Sequence, residues 1–349
     1  VSPPWSTHPP VINDDYLRID HNEIYNLGHD GIHGDRASGI TIDNNDIHTA
    51  ASGASQIATY VDGMHLRGFQ YVTVAYNKIH DLIGPDGMYG YIYMEADTTS
   101  QSNIAARDMY VYNNIIYETN SNNSSGGATG GIIFACKACI SVTNIYILNN
   151  TIVDTLHSML SVGTNNATSV SNVIVANNII YNGFMSRLGQ NRRVLISLTS
   201  AFLDYLNGPY TVTTGSFGDA SIPNIIWDYN LVDVGNNDAV MGIYGADGAY
   251  ANERSFATWK SMSGGDVYGI NTDPAFVNWS QLNSIDLSLS SNDVAAKDRG
   301  ITRIEFNNDF DGTPRPQGSA WDIGAYEYIA SGPLSDTIPP SAPTGLQVQ

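Results

Sequence analysis

Ile42-Asp43-Asn44-Asn45-Asp46-Ile47 decides the fold of this 349-residue chain, because its frame returns six more times with an asparagine in the same slot. Aligned on that asparagine, the first copies are Leu17-x-Ile19-x-x-Asn22-x-Ile24, Ile40-x-Ile42-x-x-Asn45-x-Ile47, Val72-x-Val74-x-x-Asn77-x-Ile79 and Met109-x-Val111-x-x-Asn114-x-Ile116. The series continues through Ile145-x-Ile147-x-x-Asn150-x-Ile152, Val173-x-Val175-x-x-Asn178-x-Ile180 and Ile225-x-Trp227-x-x-Asn230-x-Val232. Within each copy the apolar residues alternate with strand period, and the asparagine marks a bend between two strands. The asparagines recur 23, 32, 37, 36, 28 and 52 residues apart, so a constant core carries loops of variable length inserted elsewhere in each turn. One such unit cannot bury its apolar face alone and must stack on its neighbours. Strands a little under ~5 Å apart then bring the seven asparagines into a column. Asparagine suits the bend because it tolerates left-handed backbone and its amide can bond to the amides above and below. The expected fold is all-β: a right-handed single-stranded parallel β-helix.

Beyond each bend the pattern predicts a second strand, a loop and a third strand. The third strand opens with Asp-Gly in the early coils: Asp30-Gly31-Ile32-His33-Gly34, Asp62-Gly63-Met64-His65-Leu66-Arg67 and Asp86-Gly87-Met88-Tyr89-Gly90-Tyr91. Strand alternation turns Ile32, Met64 and Met88 inward and sets His33, His65 and Tyr89 outward in successive coils, with Arg67 and Tyr91 two residues further along. The result is a column of proton-transfer groups on an open face. The aspartates Asp30, Asp62 and Asp86 read first as turn chemistry, since Asp-Gly favours turns.

The repeat resembles the secreted bacterial carbohydrate-active proteins of the pectate-lyase-like β-helix kind, over roughly residues 15 to 235. After Val232 the repeat fades. A short amphipathic helix is expected over 253–262 around Trp259, followed by Asp273-Pro274-Ala275-Phe276, Asp311-Gly312-Thr313-Pro314-Arg315-Pro316 and Asp322-Ile323-Gly324-Ala325-Tyr326-Glu327. These motifs resemble the closing segment of many such proteins and imply a C-terminal capping segment. Residues 335–349, with Pro339, Pro340 and Pro343, look like a linker and the first strand of a fibronectin type III module. The expected organisation is an irregular lead over 1–14, the β-helix over 15–248, the capping segment over 249–330 and the start of a truncated module over 331–349. The resemblance implies a secreted, extracellular protein, one part of a longer modular chain. A natural segment ahead of Val1, or another covering element, is expected over the first coil, because fourteen proline-rich residues make a thin cap.

Composition narrows the partners. With 34 acidic against 15 basic residues the net charge of −19 disfavours nucleic acid and anionic membranes. No run of some 18 apolar residues exists to span a bilayer. The expected state is a monomer with a polysaccharide substrate. Cys136 and Cys139 form a C-x-x-C that lacks a redox helix and further zinc ligands, so a local disulfide or packed thiols is the plain reading.

The basic residues sharpen the choice of substrate. Arg36, Arg67, Arg107, Lys137, Arg192 and Arg193 fall on or beside the predicted third strand, and only Arg18 and Lys78 lie near the asparagine side. A basic strip on an acidic chain fits an anionic ligand. Three functions follow. A uronate lyase would use His65 or Lys137, with His33 in the same column, as base, Tyr89 as acid, and Arg67 to neutralise the carboxylate, with Tyr91, Arg36, Arg107, Glu95 and Arg192 along the groove. A glycoside hydrolase would draw a carboxylate pair from Asp35, Asp62, Asp86, Glu95 and Asp97. A binding or adhesive solenoid would use some of the 21 tyrosines as stacking surfaces. Calcium (Ca2+) has candidate ligands in Asp309 and Asp311 or in groove carboxylates, with no complete calcium-loop motif; no other cofactor is expected.

Overall fold

The computed structural model describes residues 17–35, 38–50, 61–68, 70–82, 90–96, 104–119, 130–136, 139–155, 160–164, 169–181, 196–199, 225–233, 241–244, 250–263, 265–279 and 284–330. The seven coils form as the repeat requires. Strands Leu17–Asp20, Ser38–Asp43, Gln70–Ala75, Ile104–Tyr112, Cys139–Leu148, Ser169–Ala176 and Ile225–Asp228 stack in that order as a first sheet. Strands Glu23–Leu27, Asp46–Ala50, Lys78–His80, Ile115–Tyr117, Thr151–Val153, Ile179–Tyr181 and Leu231–Asp233 make the second. The third contains Ile32–Asp35, Met64–Arg67, Gly90–Ala96, Gly130–Cys136, Leu160–Thr164, Ile196–Thr199 and Met241–Tyr244, and closes on Tyr250–Arg254. Among the described strands of these three sheets that last one alone pairs antiparallel; the coils pair parallel throughout, as in a parallel β-helix.

Register explains the core. Ile40, Val72, Met109, Ile145, Val173 and Ile225 occupy one row of the first sheet, and Ile42, Val74, Val111, Ile147, Val175 and Trp227 the next inward row. The second sheet answers with Ile47, Ile79, Ile116, Ile152, Ile180 and Val232, all at zero exposure. Each coil is thus a flat slice of one continuous apolar column.

The asparagines run beside that column. Backbone N and Nδ2 of Asn22, Asn45, Asn77, Asn114, Asn150 and Asn178 each donate to Oδ1 of the next asparagine at 2.9–3.1 Å. From Asn45 onward each Nδ2 also donates to a carbonyl of the preceding coil, as Asn150 does to Val111 O at 2.9 Å. Asn230 ends the ladder on Asp266 Oδ1, a rung outside the repeat. One expectation needs correction. The left-handed residue is not the ladder asparagine but the one before it: His21, Asn44, Tyr76, Asn113, Asn149, Asn177 and Tyr229 have φ of 50–59°. That turn faces the ladder amide inward to its neighbours and leaves the preceding side chain facing out.

The C-terminal segment does more than cap. The helix, expected at 253–262, spans Phe256–Ser263 and inserts Phe256 into the column. Residues beyond it run back along the outside of the second sheet, where Trp279, Leu287, Leu289, Ala296, Ile323 and Ala325 cover Ile115, Tyr117, Val153, Ile179 and Leu231. The outward asparagines hold it: Asn113 Nδ2 donates to Asn308 O at 2.8 Å, Asn149 Nδ2 to Gly324 O at 3.1 Å, and Asn177 Nδ2 to Ile301 O at 2.8 Å. Arg315 and Glu327, both with fully buried side chains, form an ion pair at 2.7 Å within this seam. Among the described residues no helix is long and apolar enough to cross a membrane. The expected lead 1–14, the linker and module start 331–349, and the Cys136 and Cys139 side chains lie outside the described residues.

Candidate active site on the third sheet

Two glycines set the first strands of the third sheet in place. A Cβ on Gly31 would lie 2.7 Å from Gly63 O, and one on Gly63 would lie 2.5 Å from Tyr91 O, so the coils close there only without side chains. From these corners Ile32, Met64 and Ile92 turn into the core, while His33, His65 and Tyr93 form the neighbouring row. The His33 and His65 rings are 5.1 Å apart, and those of His65 and Tyr93 are 4.7 Å apart.

The register places His33 beside His65 as expected, but His65 is buried instead of standing on an open face, and the third member differs. Tyr89 lies outside the described residues, and its expected register beside His65 belongs to Tyr93, four residues on. Tyr91 is corrected as well: it is fully buried, and its hydroxyl donates to Glu118 Oε2 at 2.7 Å, so it cannot touch a polymer on the open face. Asp86-Gly87 does not set the register of this coil; Tyr91-Ile92-Tyr93-Met94 does, with Ile92 and Met94 turned into the core.

Asp30, read from sequence as turn chemistry, is the centre of the cluster. Its side chain is 2% exposed, and its Oδ2 lies 2.6 Å from His33 Nδ1 and 3.5 Å from His65 Nδ1. On the far side of each ring stands another carboxylate: Asp35 Oδ1 is 3.6 Å from His33 Nε2, and Glu95 Oε2 is 3.5 Å from His65 Nε2. Asp62 Oδ2 approaches His65 Nδ1 at 3.7 Å, while its Oδ1 accepts the Gly90 backbone N–H at 2.8 Å, the structural role expected of it. Arg67, paired in register with Asp35 and Glu95, is half exposed. Asp30 could have been suspected as more than a turn residue only from its spacing of three to His33, a weak signal because Asp62 stands equally before His65.

Burial opposes a charged His65, but the carboxylates Asp30, Glu95 and Asp62 outweigh it and lift its pKa to about 9. Burial likewise opposes ionised Asp30, and hydrogen bonds from His65 and His33 overcome it, leaving its pKa lowered. Arg67 Nε lies 3.3 Å from His65 Nε2, a contact that needs a bare nitrogen; with His65 cationic, that nitrogen carries a proton for Glu95 instead. His65 is thus a poor base. His33 is the exposed ring, with its Nδ1 side fixed by Asp30.

Of the expected basic strip, Arg67 lies on the third sheet and Arg107 does not. Arg107 belongs to the first sheet, where it lies half buried over the Tyr71 ring at 4.9 Å. Arg36, Lys137, Arg192 and Arg193 lie outside the described residues, as do the hydrolase candidates Asp86 and Asp97. Among the described residues Arg67 is the cation of the strip that reaches the histidine cluster. The calcium candidate Asp309 is occupied: Oδ1 accepts from Asp311 N and Thr313 N, and Oδ2 from Glu327 N. It holds a turn.

Comparison with family models, curated proteins and solved structures finds no match to this chain.

Proposed function

We propose that this chain is a secreted bacterial polysaccharide-cleaving enzyme of the right-handed β-helix kind, acting on an anionic, uronate-containing polymer along the third sheet by β-elimination. The observation that carries the reading is the Asp30–His33 pair at 2.6 Å, with the ring on the open side and Arg67 one coil away. In this reading Asp30 accepts a hydrogen bond from His33 Nδ1–H and fixes the tautomer, so that Nε2 takes the proton beside the uronate carboxylate; the electron pair of that C–H bond forms the double bond, the glycosidic C–O bond breaks, and the departing oxygen takes a proton from water. Arg67 pairs with that carboxylate and stabilises the negative charge that develops on it. His65, cationic beneath them, adds positive potential without itself accepting a proton. The base thereby moves from His65 to His33.

Hydrolysis is the second reading, and Glu95 favours it. Its carboxylate is nearly buried beside His65 and Arg67, and Asp35 stands on the exposed side of the same cluster. Such a pair could serve as acid and base on a neutral or anionic glycan.

Arg67→Gln tests the choice. Under elimination, turnover on a uronate polymer falls at least about a hundredfold, because charge neutralisation acts mainly in the transition state. A change in KM alone, with kcat kept, would reduce Arg67 to a binding residue and remove the elimination mechanism as drawn.

A further inference from the structure

We infer that Asp30, His33 and His65 form a binding site for one divalent first-row transition ion of the zinc class. Their ligand atoms lie within 4.8 Å of one another. Three features of the cluster point to a cation among them.

The first is the orientation of the rings. Both histidines turn Nδ1 toward the same oxygen, Asp30 Oδ2, and both turn Nε2 toward separate carboxylates, Asp35 and Glu95. A neutral imidazole has one N–H. With it given to the outer carboxylate, Nδ1 keeps a bare lone pair beside Asp30 Oδ2, and the two atoms can serve as neighbouring ligands to one cation. Metal-ligating histidines are held in this way, with the other ring N–H donated to a carboxylate.

The second is Asp30 itself. Its Oδ1 is buried and has no hydrogen bond, although His29 Nδ1 is only 3.0 Å away. That nitrogen already accepts the Asp30 backbone N–H at 2.8 Å, so it has no proton to give the carboxylate. The third is charge: four carboxylates, Asp30, Asp35, Asp62 and Glu95, face one arginine, Arg67. Two protons on the histidines offset part of that negative excess, and one divalent ion in their place offsets as much.

The donor set selects the ion. Two imidazole nitrogens and one carboxylate suit zinc, cobalt or nickel, whereas calcium and magnesium favour all-oxygen shells. His33 lies on the exposed side, which leaves the remaining coordination positions facing solvent. Three protein ligands with an open position is the pattern of a reactive rather than a closed structural zinc site.

The inference uses the cluster of the proposed active site but does not depend on the polysaccharide, since binding is read on the protein alone. It also bears on that proposal: an ion on His33 Nδ1 displaces the proton given to Asp30, so loading and the His33 base role exclude each other. Turnover that falls on loading keeps the base assignment, and turnover that rises removes it; neither outcome alters the binding result.

The test is titration of the chelator-treated, desalted protein with Zn2+ by calorimetry and with Co2+ by visible absorption. One ion per chain is expected, with cobalt bands of a four- or five-coordinate nitrogen–oxygen site and no competition from excess Ca2+. His33→Ala, at an exposed position where the fold tolerates change, should weaken binding at least tenfold, and Asp30→Asn likewise. Glu95→Gln should weaken it about tenfold through the outer carboxylate. Absence of binding by the wild-type protein, displacement by Ca2+, or equal affinity in wild type and His33→Ala would each overturn the site.

Discussion

Replacing Asn150 by alanine removes one rung from the middle of the ladder, and its cost can be worked from the contacts. The side chain donates to Val111 O at 2.9 Å and Asn178 Oδ1 at 3.0 Å, and its own Oδ1 accepts from Asn114 N and Asn114 Nδ2, each at 3.0 Å. All of these groups are inaccessible to water; Asn114 and Asn150 have zero exposure. Alanine strands the Asn114 backbone N–H and withdraws a donor from Val111 O and Asn178 Oδ1, while Asn114 Nδ2 keeps Val74 O and Tyr112 O. Asn178 Oδ1 keeps the Asn150 backbone N–H. At one to three kcal/mol for each of the two buried groups that lose this partner, Asn114 N–H and Val111 O, the loss is roughly 2–6 kcal/mol. Asn22→Ala at the exposed first rung removes donations to Asp20 O and Asn45 Oδ1, both 2.9 Å, where water can take over. Its cost should stay below about 1 kcal/mol. Urea unfolding of both variants, with hydrogen exchange at the Asn114 amide, reads the difference. Equal midpoints for the two variants, or an Asn114 amide as protected in Asn150→Ala as in wild type, would refute a continuous, mutually satisfied ladder.

Other outcomes follow from single contacts. Gly63→Ala puts a methyl 2.5 Å from Tyr91 O and 2.8 Å from Ile79 Cγ2, so thermal unfolding should show a loss of about 1–3 kcal/mol; Gly28→Ala, with nothing within 4 Å, should be neutral within about 0.5 kcal/mol. Arg315→Met leaves Glu327 charged and buried and should cost about 3–5 kcal/mol, with limited proteolysis releasing the C-terminal segment, while Arg315→Met with Glu327→Gln recovers part of that loss. His65 has a folded pKa raised from 6.5 to about 9, so its contribution is complete below pH 6.5 and is lost as pH rises through 9. In metal-free protein this amounts to roughly 3 kcal/mol over that window, at 1.36 kcal/mol per unit; urea midpoints should fall accordingly in wild type and much less in His65→Gln.

The fold was legible because its determinant is local and repeated. An asparagine with alternating apolar neighbours specifies a bend and two strands wherever it occurs, and insertions between repeats do not disturb it. What the repeat could not convey was which backbone position turns left-handed, since Asn44, Asn113, Asn149 and Asn177 stand directly before the ladder asparagines and the two roles look alike in sequence. The site was half legible. His33, His65, Arg67 and Glu95 come together because strand alternation and stacking suffice to bring them there. Tyr91 was misassigned because a chance Asp-Gly at Asp86-Gly87 outweighed the apolar alternation four residues later. Asp30 escaped notice because its role depends on burial and on the next coil, and neither is written in a turn motif. Arg107 was assigned to the wrong sheet because the loop ahead of the first-sheet strand hides where that strand starts.

The central claim is that the His33 face of the third sheet cleaves a uronate polymer by elimination. It is tested most directly by incubating wild type and His33→Gln with uronate-containing, sulfated and neutral polysaccharides, following ultraviolet absorbance and reducing ends together. Both signals should rise in parallel for wild type on uronate polymers, because elimination leaves an unsaturated product, and neither should rise for His33→Gln. Reducing ends without absorbance, or full activity in His33→Gln, would contradict it.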